Sequence, residues 1–465
     1  LGQNNTFTMN DHLPDMQRIT ILLVLGLLLT KTSAQTTITV MDGVVFHDGY
    51  AGLVTDVAPQ PGVIKHRNDL FARKLTTTEL ASIGTTLQLR VVIGALCDNY
   101  DRIGNVHMAL VPAGATTYDP ALVEHIEIAR FITPFMNKNI QPDSVPYVFN
   151  VDNVAMLLKD TELTTTYDIW IELAVFGVPY AANTQVAGCS GRNDVFTGKV
   201  TLQTNEPAPA QDTNLLLPLI FNSNMNNYQA GATDTLGLTT RSVTFQVDND
   251  LTDAAFFLIT SNHGANQGGE EYNRRFHYAY HDDVLKLTYK PGRLTCEPFR
   301  MYNTQGNGIY GPSPRTPAQW QSFSNWCPGD VIDIRRINLG PVTAGEHTFM
   351  IRVPTAVFLG GEGNIPVSVY LHGRTSGLLS TGGIDDEIAA EVPFAIHPNP
   401  TSGLFTIELP TEQAEITVTN VLGEIVLQQN ATNSTMNLQL DRSGSYLVRL
   451  ITEQGITTRK LVVDR

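Results

Sequence analysis

Three acidic segments of this chain carry the residue types that a hydrolytic reaction requires. Asp101 ends Cys97-Asp-Asn-Tyr-Asp101 and is followed by Arg102. Glu172 lies in Ile169-Trp-Ile-Glu-Leu-Ala-Val-Phe176, and Glu271 in Gly268-Gly-Glu-Glu-Tyr-Asn-Arg-Arg-Phe-His277. Carboxylates held at different pKa values can divide the base and acid work of bond cleavage. An adjacent arginine can fix a carboxylate or a hydroxyl through its fork of N–H donors. In the second segment a strand's period of two puts Ile169, Ile171, Leu173 and Val175 on one face. Glu172 then shares the other face with Trp170, Ala174 and Phe176. Aromatic neighbours strip solvent from a carboxylate and favour its protonated form, so Glu172 is expected to serve as an acid or a water-positioning group. In the third segment strand alternation places Glu271, Arg275 and His277 on one side, with Glu270 as the competing carboxylate. Each segment also has a bland reading. Asp101-Arg102 is a surface ion pair, Glu172 a half-exposed strand residue, and 268–277 a salt-bridged hairpin.

The elements that must position these groups read as strands. Helical periodicity is scarce. Short β-branched runs such as Thr86–Ile93, Val200–Gln203, Ser242–Val247 and Val367–Leu371 alternate with turn clusters, which argues for an all-β chain of sandwiches or jelly rolls. Asn205-Glu-Pro-Ala-Pro-Ala-Gln211 reads as a linker, and a second polar link runs from about 376 to 391. The expected domains are 36–205, 213–375 and 391–465.

Residues 1–34 read as an upstream stretch plus a secretory signal. Met16-Gln-Arg18 precedes an apolar run over Ile19–Leu29, and Thr32-Ser-Ala34 offers a cleavage site. The start is expected at Met16 or Met9. The run is short for a bilayer span, so no stable transmembrane segment is expected. The formal charge of −15 and pI near 5.1 argue against a nucleic-acid footprint. An exported chain permits disulfides. Four cysteines allow three pairings. Cys296 and Cys327 flank a long Gly/Pro/Asn-rich loop and are paired; Cys97 and Cys189 are left bonded to each other or free. His277 and His281 share a strand face, but no His-His pair, His-x-His pair or methionine ligand stands out, so neither metal nor cofactor is expected.

The hexapeptide 97–102, with Phe131-Ile-Thr-Pro-Phe135 after it, closely resembles the acidic active-site segment of the peptide-N-glycosidase F family. Leu216–Ile220, Thr235–Leu238 and Trp326-Cys-Pro-Gly329 follow in the family's order. The resemblance covers most of 85–375. It implies two side-by-side eight-stranded jelly rolls and hydrolysis of the glycan–asparagine amide of an N-glycosylated protein or peptide. It places Asp101, Glu172 and Glu271 on catalytic carboxylates, Arg102, Arg275 and His263 on substrate-binding positions, and Cys296–Cys327 on a family bridge. Trp320, in Gln319–Trp326, is a further candidate for stacking on sugar. The chain departs from the family at Ala174, where a tryptophan is expected, and at Gly269 and Asn273, where a bridge is lost and a looser loop expected. A non-catalytic glycoprotein-binding or adhesion protein is the alternative reading, and a copper monooxygenase on the same architecture a third. Residues 391–465, with His397-Pro-Asn-Pro-Thr-Ser-Gly403 and Asn420-Val-Leu-Gly423, resemble a type IX secretion sorting domain, expected as a small β-sandwich. That implies export through the periplasm to the surface or the medium, with the secretion machinery as partner. A monomer is expected.

Overall fold

The computed structural model describes residues 35–209, 214–226, 239–264, 270–305, 325–358, 363–375, 394–409, 414–420, 425–431, 433–452 and 455–464. The signal segment, Thr235–Leu238, Gly269 and Trp320 lie outside them. The chain divides into two compact units, Leu1–Gly377 and Leu378–Arg465.

The first unit holds both sandwiches expected from sequence. One is built from β1 (Thr36–His47), β2 (Val63–Arg67), β3 (Leu70–Lys74), β4 (Leu87–Ala95), β5 (Ile103–Pro112), β6 (Glu124–Ile132), β7 (Ser144–Asn150), β8 (Tyr167–Val175) and β9 (Asp194–Thr204). Its sheets run β1-β9-β4-β7 and β6-β5-β8-β3-β2. The other is built from β10 (Asn214–Met225), β11 (Thr240–Val247), β12 (Leu251–Thr260), β13 (His277–His281), β14 (Val284–Tyr289), β16 (Arg335–Val342), β17 (Gly345–Arg352) and β18 (Ile365–Thr375), with the short β15 (Val331–Ile332) between β14 and β16 in sequence. Its sheets run β10-β18-β12-β16 and β11-β17-β13-β14. In each sandwich the strands pair as if one long hairpin with four rungs had been rolled around a core. The first differs from the expected eight strands by β2, which caps the outer edge of β3. Pairing there covers backbone groups that an open edge would leave bare.

The two sandwiches pack into one compact unit because strands at their junction are buried on both faces. β18 is buried from Ile365 to Gly373, and β6 from His125 to Ile132. Such strands read as near-continuous apolar runs, as Ala254-Ala-Phe-Phe-Leu-Ile259 of β12 does. Ala255, Phe257 and Tyr370 of the second sandwich pack into the core of the first. β15, from the second sandwich's segment, pairs with β6 and extends the first sandwich's sheet: Val331 opposes Phe131 and Ile332 opposes Arg130.

β6 also carries a fully buried ion pair into this junction. Arg130 Nη2 and Nε donate to Glu127 at 2.7 and 2.8 Å, while its Nη1 donates to Ser261 Oγ and to the Pro366 carbonyl at 2.9 and 2.8 Å. Asn105 and Ser368 also donate to Glu127. Residues three apart on a regular strand face opposite ways. Here the register slips, so that Val106 opposes Ala129 and His107 opposes Glu127. The bulge at Ile128 turns both side chains to one face. Burial alone would raise the Glu127 pKa; the Arg130 guanidinium and the donated hydrogen bonds pull it below the usual range.

The second unit has its own core around Phe405, Ile416, Val448 and Leu461. Its sheets are β19-β20-β23 and β22-β21-β24-β25, formed by β19 (Ala395–His397), β20 (Leu404–Glu408), β21 (Glu415–Asn420), β22 (Ile425–Asn430), β23 (Thr435–Gln439), β24 (Gly444–Thr452) and β25 (Gly455–Val463).

Removing one member of a buried pair strands the other charge, a loss of about 3–5 kcal/mol. Arg130→Met should therefore lower stability by about that much in urea denaturation. The double change Arg130→Met/Glu127→Gln should cost less, because no unpaired charge remains.

Candidate active site at the junction of the two sandwiches

A cavity of about 350 Å³ opens where the sandwiches meet. Asp101, Arg102, Ile103, Ile132 and Phe176 line it from the first, and His263, Glu271 and Trp326 from the second. Four of the residues singled out from sequence thus come together from segments far apart in the chain. Clefts between domains are common ligand sites.

Asp101 and Arg102 lie on the approach to β5. The chain there is pinned at both ends. The Cys97–Cys189 disulfide closes the pairing left open by the sequence. At the other end the Arg102 N–H donates to Thr133 Oγ1 at 2.7 Å, and Thr133 N–H donates to the Arg102 carbonyl at 2.8 Å. Buried Asp98 organises the turn between. It accepts from Tyr100 N–H and Val178 N–H at 2.9 and 2.8 Å, and from Arg102 Nε and Nη2 at 2.6 and 3.3 Å. Burial outweighs the Arg102 charge and lifts the Asp98 pKa above its ordinary value. Arg102 is thus aimed by Asp98 rather than by its neighbour Asp101. Asp98 was legible as a residue four before the arginine in the same hexapeptide, but its role was not.

Asp101 has a pKa raised to about 8, first by burial and then by the nearby charge of Glu271, with Arg102 opposing. Two carboxylates facing one cavity do not readily ionise together. At neutral pH Asp101 therefore holds a proton that it releases just above neutrality.

Glu270 and Glu271 divide their work. Glu270 is fully buried, accepts from Arg275 Nη2 at 3.0 Å and from Val357 N–H at 2.7 Å, and is absent from the cavity lining. Glu271 lines the cavity. This corrects two expectations. Arg275 is committed to Glu270, and residues 270–276 form a turn and irregular backbone rather than a strand, so alternation does not group Glu271, Arg275 and His277. His277 is buried, with Nδ1 3.0 Å from the Arg275 carbonyl, and burial pushes its pKa down to about 4. A side-chain clasp holds this stretch, where a looser loop was expected. The buried Asn325 side chain donates to the Glu270 and Glu271 carbonyls at 2.6 and 2.7 Å, and the Asn325 N–H donates to the Glu271 carbonyl at 3.0 Å. Beside it the Cys296–Cys327 disulfide forms as expected.

His263 sits in the wall with its ring 5.8 Å from that of Trp326 and Nε2 2.7 Å from Ser261 Oγ. Burial, then Arg130, lowers its pKa to about 3, so it acts as a neutral hydrogen-bonding group. Trp326 donates its indole N–H to the Asn262 carbonyl at 3.0 Å. Trp326 and Phe176 are the aromatic residues in the lining. Sequence reasoning passed over Phe176, although it ends the segment quoted for Glu172.

Glu172 departs furthest from expectation. Phe176, just past the end of β8, lines the cavity, but Glu172, four residues earlier on that strand, is absent from the lining. His107 Nδ1 lies 3.0 Å from Oε2 and His125 Nε2 3.1 Å from Oε1, while Tyr118 donates its hydroxyl to Oε1 at 2.7 Å. Phe221 packs on both imidazoles, its ring centroid 4.8 Å from each. Burial would raise the pKa, but the two histidines drive it far below the ordinary carboxylate range. Glu172 is an anion clamped by its neighbours, not a protonated acid.

The arrangement defines a β protein of two rolled sandwiches with a carboxylate pair at their junction. The N-terminal domain of peptide-N-glycosidase F matches residues 37–190, and the C-terminal domain of the same enzyme matches 233–372. Together they span more than half of the chain, which belongs to the peptide-N-glycosidase F family. A secretion system C-terminal sorting domain matches 395–464, and marks the chain for type IX export to the cell surface or beyond. PNGF-II superposes in one crystal form with a TM-score of 0.52 at 21% identity over 73% of this chain and 66% of that one, and in another with 0.51 at 20% over 73% and 65%. This chain therefore spans just under two thirds of the length of PNGF-II. PNGase F of Flavobacterium meningosepticum, a glycosylasparaginase, gives 0.47 at 16% identity over 74% of this chain and 96% of that one. The PNGF-II match at this level of identity speaks to fold. No curated protein matches the chain.

Two pH signatures of opposite sign follow. Asp101 binds its proton more tightly folded than unfolded, so its contribution to stability falls as pH rises from about 4 to about 8. Asp101→Asn should melt higher than the parent at pH 9, with the gap closing toward pH 4. Glu172 binds its proton more weakly folded, so its contribution is present above the unfolded value of 4.5 and is lost on acidification. Glu172→Gln should melt lower than the parent at pH 7, with the gap narrowing as pH drops below 4.5. Thermal denaturation across pH reads both.

Proposed function

We propose that this chain is an exported amidohydrolase that cleaves the amide joining an N-linked glycan to its asparagine. The observation that carries the reading is the carboxyl of Asp101, poised to release its proton at about pH 8 in a cavity it shares with Glu271. A base is most useful when its pKa lies near the working pH. In the ionised state Asp101 takes a proton from water as the water oxygen attacks the amide carbonyl carbon. The tetrahedral intermediate then collapses, the carbon–nitrogen bond breaks, and the proton passes from Asp101 to the leaving nitrogen. The products are an aspartate-containing chain and a free glycosylamine. Glu271 holds the water or substrate from the second sandwich and keeps the Asp101 pKa high.

Arg102, aimed by Asp98, orients the first sugar through its N–H donors. Neutral His263 supplies hydrogen bonding, and Trp326 and Phe176 give the sugar an apolar wall. Trp320 remains a candidate for sugar stacking. Glu172 stands behind this site as a structural anion, and Arg275 acts through Glu270. Because one chain supplies both walls, a monomer suffices.

The test is mass spectrometry of a defined N-glycopeptide incubated with the purified chain in heavy-oxygen water. Glycan release with conversion of Asn to labelled Asp is expected. Asp101→Asn should reduce turnover by about 10²–10⁴, and Glu271→Gln should also reduce it. Glu172→Gln, assayed while folded, should retain activity within about tenfold of the parent, because it contributes no proton transfer. The value of kcat/KM should rise with pH through about 8 as Asp101 ionises. Unchanged glycopeptide across several glycan types and pH values would favour a binding protein on this scaffold.

A further inference from the structure

Away from the cavity, the turn joining β13 to β14 brings two histidines and an aspartate together. His281 ends β13, Asp282 opens the turn, and His347 lies on β17, which pairs with β13. The three offer ligand atoms within 4.8 Å of one another. Asp282 and Asp283 adopt φ of +49° and +62°, left-handed conformations that aspartate tolerates in two-residue hairpin turns. The turn is fixed against β17: Asp282 N–H donates to the Thr348 carbonyl at 3.0 Å and Thr348 N–H donates to Asp282 Oδ1 at 2.8 Å. That leaves Oδ2 facing the two imidazoles, with His347 Nδ1 at 2.7 Å and His281 Nε2 at 3.4 Å.

Two features go beyond an ion pair. His281 is 8% exposed, yet its Nε2 has no hydrogen-bond partner although it lies 3.4 Å from the Asp282 carboxylate. A buried polar atom left in this way needs an explanation, and a bound ion is one. On the other imidazole, His347 Nε2 lies 2.8 Å from the Thr343 carbonyl. A carbonyl only accepts, so Nε2 carries the proton and Nδ1 is the nitrogen left to bind. A second hydrogen bond of this kind is how proteins orient metal-ligating histidines. The edge between neighbouring ligands of a tetrahedral zinc ion is about 3.3 Å, comparable to the His281–Asp282 separation. Asp282 remains part-exposed, so solvent can complete the coordination.

We propose that His281 Nε2, His347 Nδ1 and Asp282 Oδ2 form a binding site for one divalent transition-metal ion of zinc-like preference, which staples the β13–β14 turn to β17. Two imidazoles and a carboxylate suit such an ion better than calcium or magnesium. Binding expels a proton or a hydrogen bond from His347 and leaves the junction cavity untouched.

The test uses the full chain, stripped with chelator and dialysed. Zinc titrated against a chromophoric indicator should bind at about one equivalent with micromolar or tighter affinity and raise the melting temperature. His281→Gln keeps the His347–Asp282 pair, so it should fold and bind zinc at least tenfold more weakly. X-ray absorption of the wild-type zinc complex should report two imidazoles with oxygen ligands. Failure to bind near one equivalent, undiminished binding in both His281→Gln and His347→Gln, or coordination without imidazole would overturn the proposal. Glycopeptide turnover should be the same with and without zinc, which separates this site from the amidase reading.

Discussion

The buried Glu127–Arg130 pair is the constraint on which the rest of the first unit depends. A charge with no exposed surface needs every partner supplied by protein, and the partners of this pair come from both sandwiches. Ser261, Pro366 and Ser368 must sit where Arg130 and Glu127 require them. Two residues past Ser261 is His263, and beyond it lies the turn with Glu271. On the other side, Ile132 ends the same strand and lines the cavity. The bulge at Ile128 therefore does more than rotate a side chain. By turning both charges toward the second sandwich it sets the junction, and the junction sets the spacing of the carboxylates. Such pairs contribute little net stability compared with apolar packing; here the pair's contribution is registry.

Two carboxylates of the first sandwich end in opposite electrostatic states, and the contrast shows what environment does to one functional group. Glu172 and Asp101 both lose water. Glu172 meets two imidazoles and a phenol that favour its anion. Asp101 meets a second carboxylate, while the nearest guanidinium is held by Asp98. Arg102 is thus withdrawn from the partner that its sequence neighbour suggests, and Asp101 keeps a chemically useful pKa.

Much of this was legible in the sequence, and the misses have physical causes. The β8 alternation is as expected, with Ile169, Ile171, Leu173 and Val175 inward, because a period of two is local information. What surrounds Glu172 is not local. His107, Tyr118 and His125 come from β5, the β5–β6 connection and β6, so aromatic neighbours on its own strand gave the wrong sign for its pKa. Arg275 failed for a similar reason: its guanidinium found Glu270 once the backbone turned instead of extending. The two adjacent glutamates could be separated only by what each one faces. Asp101, Arg102, His263 and Glu271 line one cavity because the rolled topology brings the loops that carry them to one junction. The bulge on β6 and the Asn325 clasp leave no periodic trace and could be found only in three dimensions.

The Cys97–Cys189 bridge places a timing condition on the chain. It closes directly before the Asp98–Arg102 turn and ties it to a segment 92 residues away. Such a bond forms in an oxidising compartment and not among reduced thiols. Before export the turn that presents Asp101 lacks this anchor, and a loop of that length left open gives the unfolded chain more freedom. Anchoring of this segment is thereby tied to departure from the cytoplasm, so that the turn carrying Asp101 becomes rigid only on the far side of the membrane.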